Sequence, residues 1–288
     1  MAVFLPCGRI GAWLEDRRPP CDPLLVSESG GPAQSDLEQQ LRVTVLELPA
    51  RWDARDEALA EVDTLLARAP TDLAIVPELA FTGYLSPTGD ADLTRFAEPL
   101  DGPTRSAVAK VARRRKVHMV FPLVLREEGD VSNAAVLVDP EGVVLAVYRK
   151  RHPWIPESWA TRGRAPPPLV DVAGTKITIA ICYDLHFLPD DDAVTPVLEA
   201  ADLLVFTSAW VDDENTRLPK LRELARTFRI AVANANWAPG VVRLPGQGDS
   251  VIFDAQGHMV ARVGHGEGRA DALVSSERGK TSSLMKRG

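Results

Sequence analysis

The chain has few cysteines and no long apolar run. Only three of its 288 residues are cysteine, and such a small, odd number does not make a disulfide framework. No segment approaches the ~18 consecutive apolar residues that a membrane-spanning helix needs. The stretch 2–7 is too short for the apolar part of a signal peptide. The net charge of −7 argues against nucleic-acid binding, which requires a basic patch or stripe.

Signals for common cofactors are also missing. The five histidines, at positions 118, 152, 186, 258 and 265, do not have the spacing of zinc ligands. The sequence contains no glycine-rich phosphate loop. We therefore expect a protein without metal ion or cofactor. Free cysteine thiols fit a reducing cytoplasm, which we predict as the location.

What is present is the pattern of a layered α/β protein. Short apolar runs rich in valine and isoleucine favour strands. Apolar residues at helical spacing predict helices at 54–68 with Asp53 as N-cap, at 104–115, through Ala200 with Thr195 as N-cap, and from Pro219 onward. Alternating helices and strands indicate an α/β fold with mixed sheets. The strand-like runs lie at 41–48, 73–77, 117–124, 133–138, 143–148, 177–182, 203–208, 230–235, 250–254 and 259–263.

The domain organisation follows from where this regular pattern begins and ends. Residues 1–40 have no periodicity and contain Pro19-Pro20 and Gly30-Gly31-Pro32, so we expect a poorly ordered extension. We predict a single domain over 41–275 and a C-terminal tail over 276–288.

A chemically reactive side chain lies at the end of three of the strand-like runs or just after it. Glu78 follows the run at 73–77, Lys150 follows 143–148 closely, and Cys182 ends 177–182. Active sites of layered α/β proteins tend to lie at such strand ends. A carboxylate, an ammonium and a thiol gathered there indicate nucleophilic catalysis. A lone cysteine would instead be read as a buried core residue.

The segments around these residues resemble a known family. VPELAFTGY at 76–84, VYRK at 147–150 and ICYD at 181–184 are similar to the three signature segments of the nitrilase superfamily, the carbon–nitrogen hydrolases. Flanking segments that begin at Leu41, Glu98, Asn133 and Gly248 resemble family segments in the same order. Together they cover roughly residues 41–270.

The resemblance implies both a fold and a reaction. The fold would be an α-β-β-α four-layer sandwich that commonly forms homodimers. Cys182 would be the nucleophile, Glu78 the general base, and Lys150 the cation that stabilises the oxyanion, with the backbone N–H of Tyr183 as a second donor. The sequence CYD is more similar to the amidase and carbamoylase branches than to true nitrilases. We expect hydrolysis of a small linear amide, with N-carbamoyl compounds next and nitriles third.

Further site residues are carried over from the resemblance. Glu157 matches a second glutamate that orients the substrate or assists proton transfer. Tyr84, Tyr183, His186 and Trp210 are candidates for lining the substrate pocket. His186 stands where many members of the family have an arginine that can bind a substrate carboxylate, so its presence disfavours an anionic substrate.

Two alternatives stay open at this point. One is a cysteine–histidine hydrolase that pairs Cys182 with His152 or His186. The other is a non-catalytic scaffold that has kept the fold. Thiol reactivity separates scaffold from enzyme, since a catalytic cysteine is expected to have a depressed pKa and fast alkylation.

Acidic clusters at 190–192 and 212–214 follow two of the predicted strands. Such clusters are usually solvated loops. A further hypothesis is that they favour a neutral or cationic substrate.

Overall fold

A computed structural model of the chain describes residues 40–214, 216–275 and 281–283. The helices are α1 (Arg55–Leu66), α2 (Pro103–Arg115), α3 (Thr195–Ala200) and α4 (Arg217–Phe228). The strands are β1 (Gln40–Leu46), β2 (Leu73–Ile75), β3 (His118–Glu127), β4 (Asp130–Val138), β5 (Val144–Arg149), β6 (Leu169–Val172), β7 (Thr175–Ile181), β8 (Leu203–Ser208), β9 (Ala231–Asn236), β10 (Val251–Phe253), β11 (Met259–Arg262), β12 (Arg269–Ser275) and β13 (Thr281–Ser283).

The strands form two mixed sheets. The first has the order β13-β12-β1-β2-β3-β4-β5, and the second has the order β11-β10-β9-β8-β7-β6. In the first sheet β1, β2 and β3 run parallel, and in the second β7, β8 and β9 do. The outer strands pair antiparallel to these central ones. The parallel strands therefore deliver their carboxyl ends to one edge of each sheet.

The central strands are buried on both faces because their apolar residues alternate between two cores. In β2, Leu73 and Ile75 join the core between the two sheets. Ala74, which lies between them, joins the core under α1 and α2. Successive side chains of a strand point to opposite faces, so a continuous apolar run fills two layers at once.

The helices cover the outer faces of the sheets. Val62 of α1 and Val108 of α2 pack with Phe121 of β3 on the first sheet. Leu198 of α3 and Leu224 of α4 pack with residues of the second sheet. The layers thus follow the order helix, sheet, sheet, helix, and the α-β-β-α sandwich expected from the resemblance is confirmed.

The predicted helix starts are wrong by one or two residues. Ala54, rather than Asp53, precedes α1, and its side chain makes no capping hydrogen bond. Val194 precedes α3, so Thr195 is the first helical residue. α4 begins at Arg217, two residues before Pro219. Proline is tolerated throughout the first helical turn, where backbone N–H groups have no partner inside the helix.

Three strands, β6, β12 and β13, were not predicted, and the first two do not have the pattern of an apolar run. β6 is an edge strand and carries an exposed Leu169. β12 contains Arg269 and Asp271, which form an ion pair with each other. Arg269 is nevertheless buried, since its guanidinium also donates to the Leu65 carbonyl oxygen at 2.7 Å. Such pairing lets a charged strand lie inside a sheet.

The predicted domain limits fall mostly outside the described residues. The expected extension over 1–40 lies outside them except for Gln40, which begins β1. Of the expected tail over 276–288, only β13 is described. It pairs antiparallel with β12.

Candidate active site

The three reactive side chains predicted at strand ends meet where the two sheets face each other. Glu78 follows β2 by three residues, Lys150 directly follows β5, and Cys182 directly follows β7. β2 and β5 belong to the first sheet and β7 to the second. All three side chains are buried. The cluster therefore depends on the packing of one sheet against the other.

Glu78 is held by donors on both carboxylate oxygens. Oε1 accepts from Lys150 Nζ at 2.7 Å. Oε2 accepts from the backbone N–H of Ala209, just after β8, at 2.8 Å. The carboxylate is thus fixed between the two sheets, and it faces the thiol of Cys182 as a nearby negative charge.

Lys150 also binds the second predicted glutamate. Its Nζ lies 2.7 Å from Glu157 Oε1, and Glu157 Oε2 accepts from the Trp154 N–H at 2.9 Å. Glu157 ends the short 3₁₀ helix Ile155–Glu157. Burial raises the pKa of Glu157 to about 7; Lys150 opposes this shift, and Glu78 adds to it. The pKa of Lys150 is raised because its two carboxylate partners outweigh the effect of burial.

Asn133 joins the same cluster, and its place there was not predicted. This residue of β4 donates from Nδ2 to Glu78 Oε1 at 2.8 Å and to Glu157 Oε1 at 3.1 Å. In the sequence it is the first residue of an apolar run. A polar residue in an otherwise buried strand is the one signal that points to it.

Cys182 sits in an unusual backbone conformation. Its φ is +45°, which few residues other than glycine adopt, and it opens the 3₁₀ helix Cys182–His186. The side chain is 8% exposed. Strained backbone of this kind concentrates at functional sites.

Asp184 braces this turn, a role that sequence reasoning missed. Its buried carboxylate accepts from the Tyr148 hydroxyl at 2.7 Å and from the His152 N–H at 2.9 Å. It also accepts from the N–H of Ile181 at 3.3 Å. Asp184 therefore ties the end of β5 to the residues on either side of Cys182.

The surroundings of Cys182 raise the pKa of its thiol instead of depressing it. Burial raises the thiol pKa, and the carboxylates of Glu78 and Glu157 raise it further, whereas Lys150 lowers it. Two negative charges and desolvation outweigh one ammonium. The surroundings of Cys182 thus favour the neutral thiol over the thiolate.

A cavity of about 220 Å³ opens onto the cysteine. Its lining includes the predicted pocket residues Tyr183, His186 and Trp210, together with Trp154 and Asp212. The His186 ring stacks on Trp210 with centroids 5.4 Å apart. A larger groove of about 690 Å³ lies beside β5 and does not reach the thiol.

Tyr84 lies next to the cluster, behind the cavity wall. Its buried ring packs on Trp154 and Trp237, with centroid distances of 6.4 and 5.6 Å. Burial raises the pKa of the Tyr84 hydroxyl, and the carboxylates of Glu157 and Glu78 raise it further. The hydroxyl is therefore protonated beside the two glutamates.

The histidines of the alternative hydrolase have other partners. His152 Nδ1 lies 3.0 Å from Asp184 Oδ1, and His186 Nδ1 lies 3.3 Å from Lys220 Nζ. Burial lowers the pKa of His186, and the Lys220 charge lowers it further. The carboxylate of Glu78, by contrast, lies close enough to the Cys182 thiol to raise its pKa.

The acidic clusters occupy two different places. Asp212 lines the cavity, where it accepts from Trp210 Nε1 at 3.1 Å. Burial alone would raise the pKa of Asp212, but hydrogen bonds, the first from Thr216, hold it below its ordinary value. Asp191 instead pairs with Arg151 at 2.7 Å. Only the cluster at 212–214 contributes a charge to the cavity wall.

Metal binding and membrane insertion are two further classes of function on which the structure bears. Across 40–214, 216–275 and 281–283, no group of three or more histidine, cysteine or acidic residues is arranged to hold a metal ion. In the same part of the chain, no helix combines the length and apolarity needed to cross a membrane.

Fold and site together define a class: four-layer α/β sandwiches with a buried glutamate–lysine–cysteine cluster where the sheets meet. The chain belongs to the carbon-nitrogen hydrolase family, whose profile matches residues 37–279.

Individual relatives are named as amidases. An (R)-stereoselective amidase of a Pseudomonas species is 31% identical over 190 residues, which span 66% of this chain and 65% of that protein. A formamidase of Bradyrhizobium is 27% identical over 213 residues, which span 72% of this chain and 60% of that protein. This chain thus spans less than two thirds of the length of both relatives.

Solved structures share the fold. A cysteine-to-alanine mutant of the Nesterenkonia AN1 amidase, from the nitrilase superfamily, is 25% identical with a TM-score of 0.69; the match covers 83% of this chain and 90% of that one. A CN-hydrolase superfamily protein of Xanthomonas campestris is 23% identical with a TM-score of 0.69, and that match covers 82% and 91%.

Proposed function

We propose that the protein is a cysteine-dependent hydrolase of carbon–nitrogen bonds outside peptides, acting on small linear amides. The observation that carries this proposal is the buried cluster in which Glu78 and Lys150 lie against Cys182. Relatives named amidase and formamidase support the choice of amides.

Acylation would begin with transfer of the thiol proton to Glu78. The Cys182 sulfur attacks the amide carbonyl carbon, and the Lys150 ammonium and the Tyr183 backbone N–H stabilise the oxyanion. Glu78 then returns the proton to the nitrogen as the C–N bond breaks. Ammonia leaves, and the acyl group stays on sulfur as a thioester.

Deacylation would reuse the same groups. Glu78 takes a proton from a water molecule, whose oxygen attacks the thioester carbonyl. The C–S bond breaks, the thiol regains a proton, and the carboxylic acid leaves. Glu157 holds Lys150 in place from the side opposite Glu78 and orients the substrate amide.

The cavity supports a small, uncharged acyl group. About 220 Å³ is below the ~300–1,000 Å³ of typical ligand pockets. Aromatic side chains of Trp154, Tyr183 and Trp210 form much of its wall. The carboxylate of Asp212 is the charge on that wall, so an anionic substrate would be repelled.

Two finer assignments belong to the same proposal. A catalytic thiol has to stay reduced, which supports a cytoplasmic location. The family resemblance supports a homodimer, which light scattering on the full chain tests.

The decisive test is ammonia release by the wild type and by Cys182→Ala across small amides, ureido compounds and nitriles. We expect release from neutral linear amides, and a loss in the variant on the order of 10⁶-fold, as for other covalent nucleophiles. Release from ureido compounds or nitriles alone would assign the protein to another branch. Equal release by wild type and variant would refute the thiol mechanism.

A further inference from the structure

Asn133 is bound to both glutamates of the cluster at once. Its side chain is 1% exposed, in the interior of β4. The Nδ2 group has two hydrogens, and they reach Glu78 Oε1 at 2.8 Å and Glu157 Oε1 at 3.1 Å. These are the same two oxygens that Lys150 Nζ contacts at 2.7 Å each. Ammonium and amide thus close a ring with the two carboxylates.

The backbone reinforces this ring. The carbonyl oxygen of Asn133 accepts from the backbone N–H of Lys150 at 2.8 Å. The two donors that bridge the glutamates are therefore fixed to each other through the pairing of β4 with the residue that follows β5. A displacement of one would displace the other.

The orientation of the amide is determined by its neighbours. Rotating the amide by 180° would place Oδ1 against Glu78 Oε1 and Glu157 Oε1. Three acceptor oxygens would then face one another, and Asn133 would donate no hydrogen bond to either glutamate. In the orientation present, Oδ1 is buried without a hydrogen-bond partner. Leaving an acceptor unpaired costs stability, and such costs are retained mainly at functional sites.

A neutral donor at this position has a specific electrostatic consequence. With both glutamates ionised, two carboxylates and one ammonium leave the cluster with one negative charge in excess. A second cation in place of Asn133 would neutralise that charge and weaken the base. An amide supplies two hydrogen bonds and no charge, so it can hold the carboxylates close together while they keep their affinity for a proton.

We propose that Asn133 is a positioning residue. It holds Glu78 and Glu157 on either side of Lys150, and it sets the proton affinity of the cluster that faces Cys182. Its effect on turnover rests on the proposed function, whereas its effect on the thiol does not.

The test is the pH dependence of Cys182 alkylation by iodoacetamide, followed on the peptide containing Cys182 by mass spectrometry. We expect the pH midpoint to rise from wild type to Asn133→Ala, because the carboxylates lose two donors and act more strongly on the thiol. It is expected to rise by at least one pH unit in Asn133→Asp, which adds a negative charge. The matched control Ser132→Ala alters the adjacent residue of β4 and is expected to keep the wild-type midpoint.

The steady-state kinetics of amide hydrolysis provide a second test. With an amide substrate, Asn133→Asp is expected to lower kcat by about 100-fold, the lower range for a disturbed general acid–base group, with little change in KM. Coincident alkylation midpoints in all four proteins would overturn the inference. If Asn133→Asp does not fold, the midpoint of Asn133→Ala decides alone. Shifted midpoints in a protein that hydrolyses no amide would uphold the role of Asn133 and refute the proposed function.

Discussion

The Glu78→Gln variant is expected to lose about 10⁴-fold in kcat, the upper range for removing a general acid–base group. Glutamine has nearly the same shape, and its amide oxygen can still accept from Lys150 Nζ. It cannot take the proton of a thiol whose pKa is raised by burial and by nearby carboxylates. Ammonia release under single-turnover conditions measures the loss.

The prediction for Glu78→Gln has a matched control and a competing mechanism that predicts a different result. Glu141→Gln makes the same chemical change at an exposed turn and is expected to have wild-type kcat. The cysteine–histidine alternative predicts the reverse for the site: activity would survive Glu78→Gln and disappear in His152→Ala or His186→Ala. A loss of less than tenfold in Glu78→Gln would exclude Glu78 as the base.

The Lys150→Met variant is expected to lose about 3–5 kcal/mol of unfolding free energy, as when one partner of a buried ion pair is removed. Methionine is unbranched like lysine and lacks only the position of the terminal ammonium, so most of the core stays filled. The carboxylates of Glu78 and Glu157, both buried, would face each other without the ammonium between them. Urea denaturation followed by circular dichroism measures the change.

The loss of unfolding free energy in Lys150→Met, relative to wild type, is expected to grow with pH. Glu157 has a folded-state pKa of about 7, above its ordinary value of 4.5, and Lys150 lowers it. Without Lys150 that pKa rises further. A raised folded-state pKa contributes stability below the unfolded pKa and loses it as pH rises through the folded pKa. The variant should therefore be closer to wild type at pH 5 than at pH 8.

Two further variants check this explanation. In Lys150→Met combined with Glu157→Gln, one of the facing charges is removed, so part of the stability is expected to return. Lys110→Met changes an exposed lysine of α2 and is expected to stay within about 0.5 kcal/mol of wild type. An equal loss of unfolding free energy at pH 5 and pH 8 would contradict an electrostatic origin of the destabilisation in Lys150→Met.

The three reactive residues of the site could be predicted from the sequence because the end of a strand is a local sequence signal. Glu78, Lys150 and Cys182 each follow an apolar run, and the sheets bring those ends together. Asn133 and Asp184 gave no such signal. Asn133 begins an apolar run and looks like part of the strand. Two partners of Asp184, Tyr148 and His152, lie more than 30 residues away in the sequence.

The sequence by itself determined the layered α/β class and the positions of most strands. Apolar alternation depends on neighbours in the chain, and residues two apart share a face wherever the strand lies. The sequence did not determine β12, because its buried Arg269 needs the Leu65 carbonyl oxygen from α1 to be satisfied.

Only the tertiary structure decided how protons are distributed in the site. The pKa of the Cys182 thiol is raised, since burial and two carboxylates outweigh one ammonium. Charge interactions depend on distance and on exclusion of water. Both quantities exist only once the two sheets have packed against each other, and no local pattern in the chain encodes them.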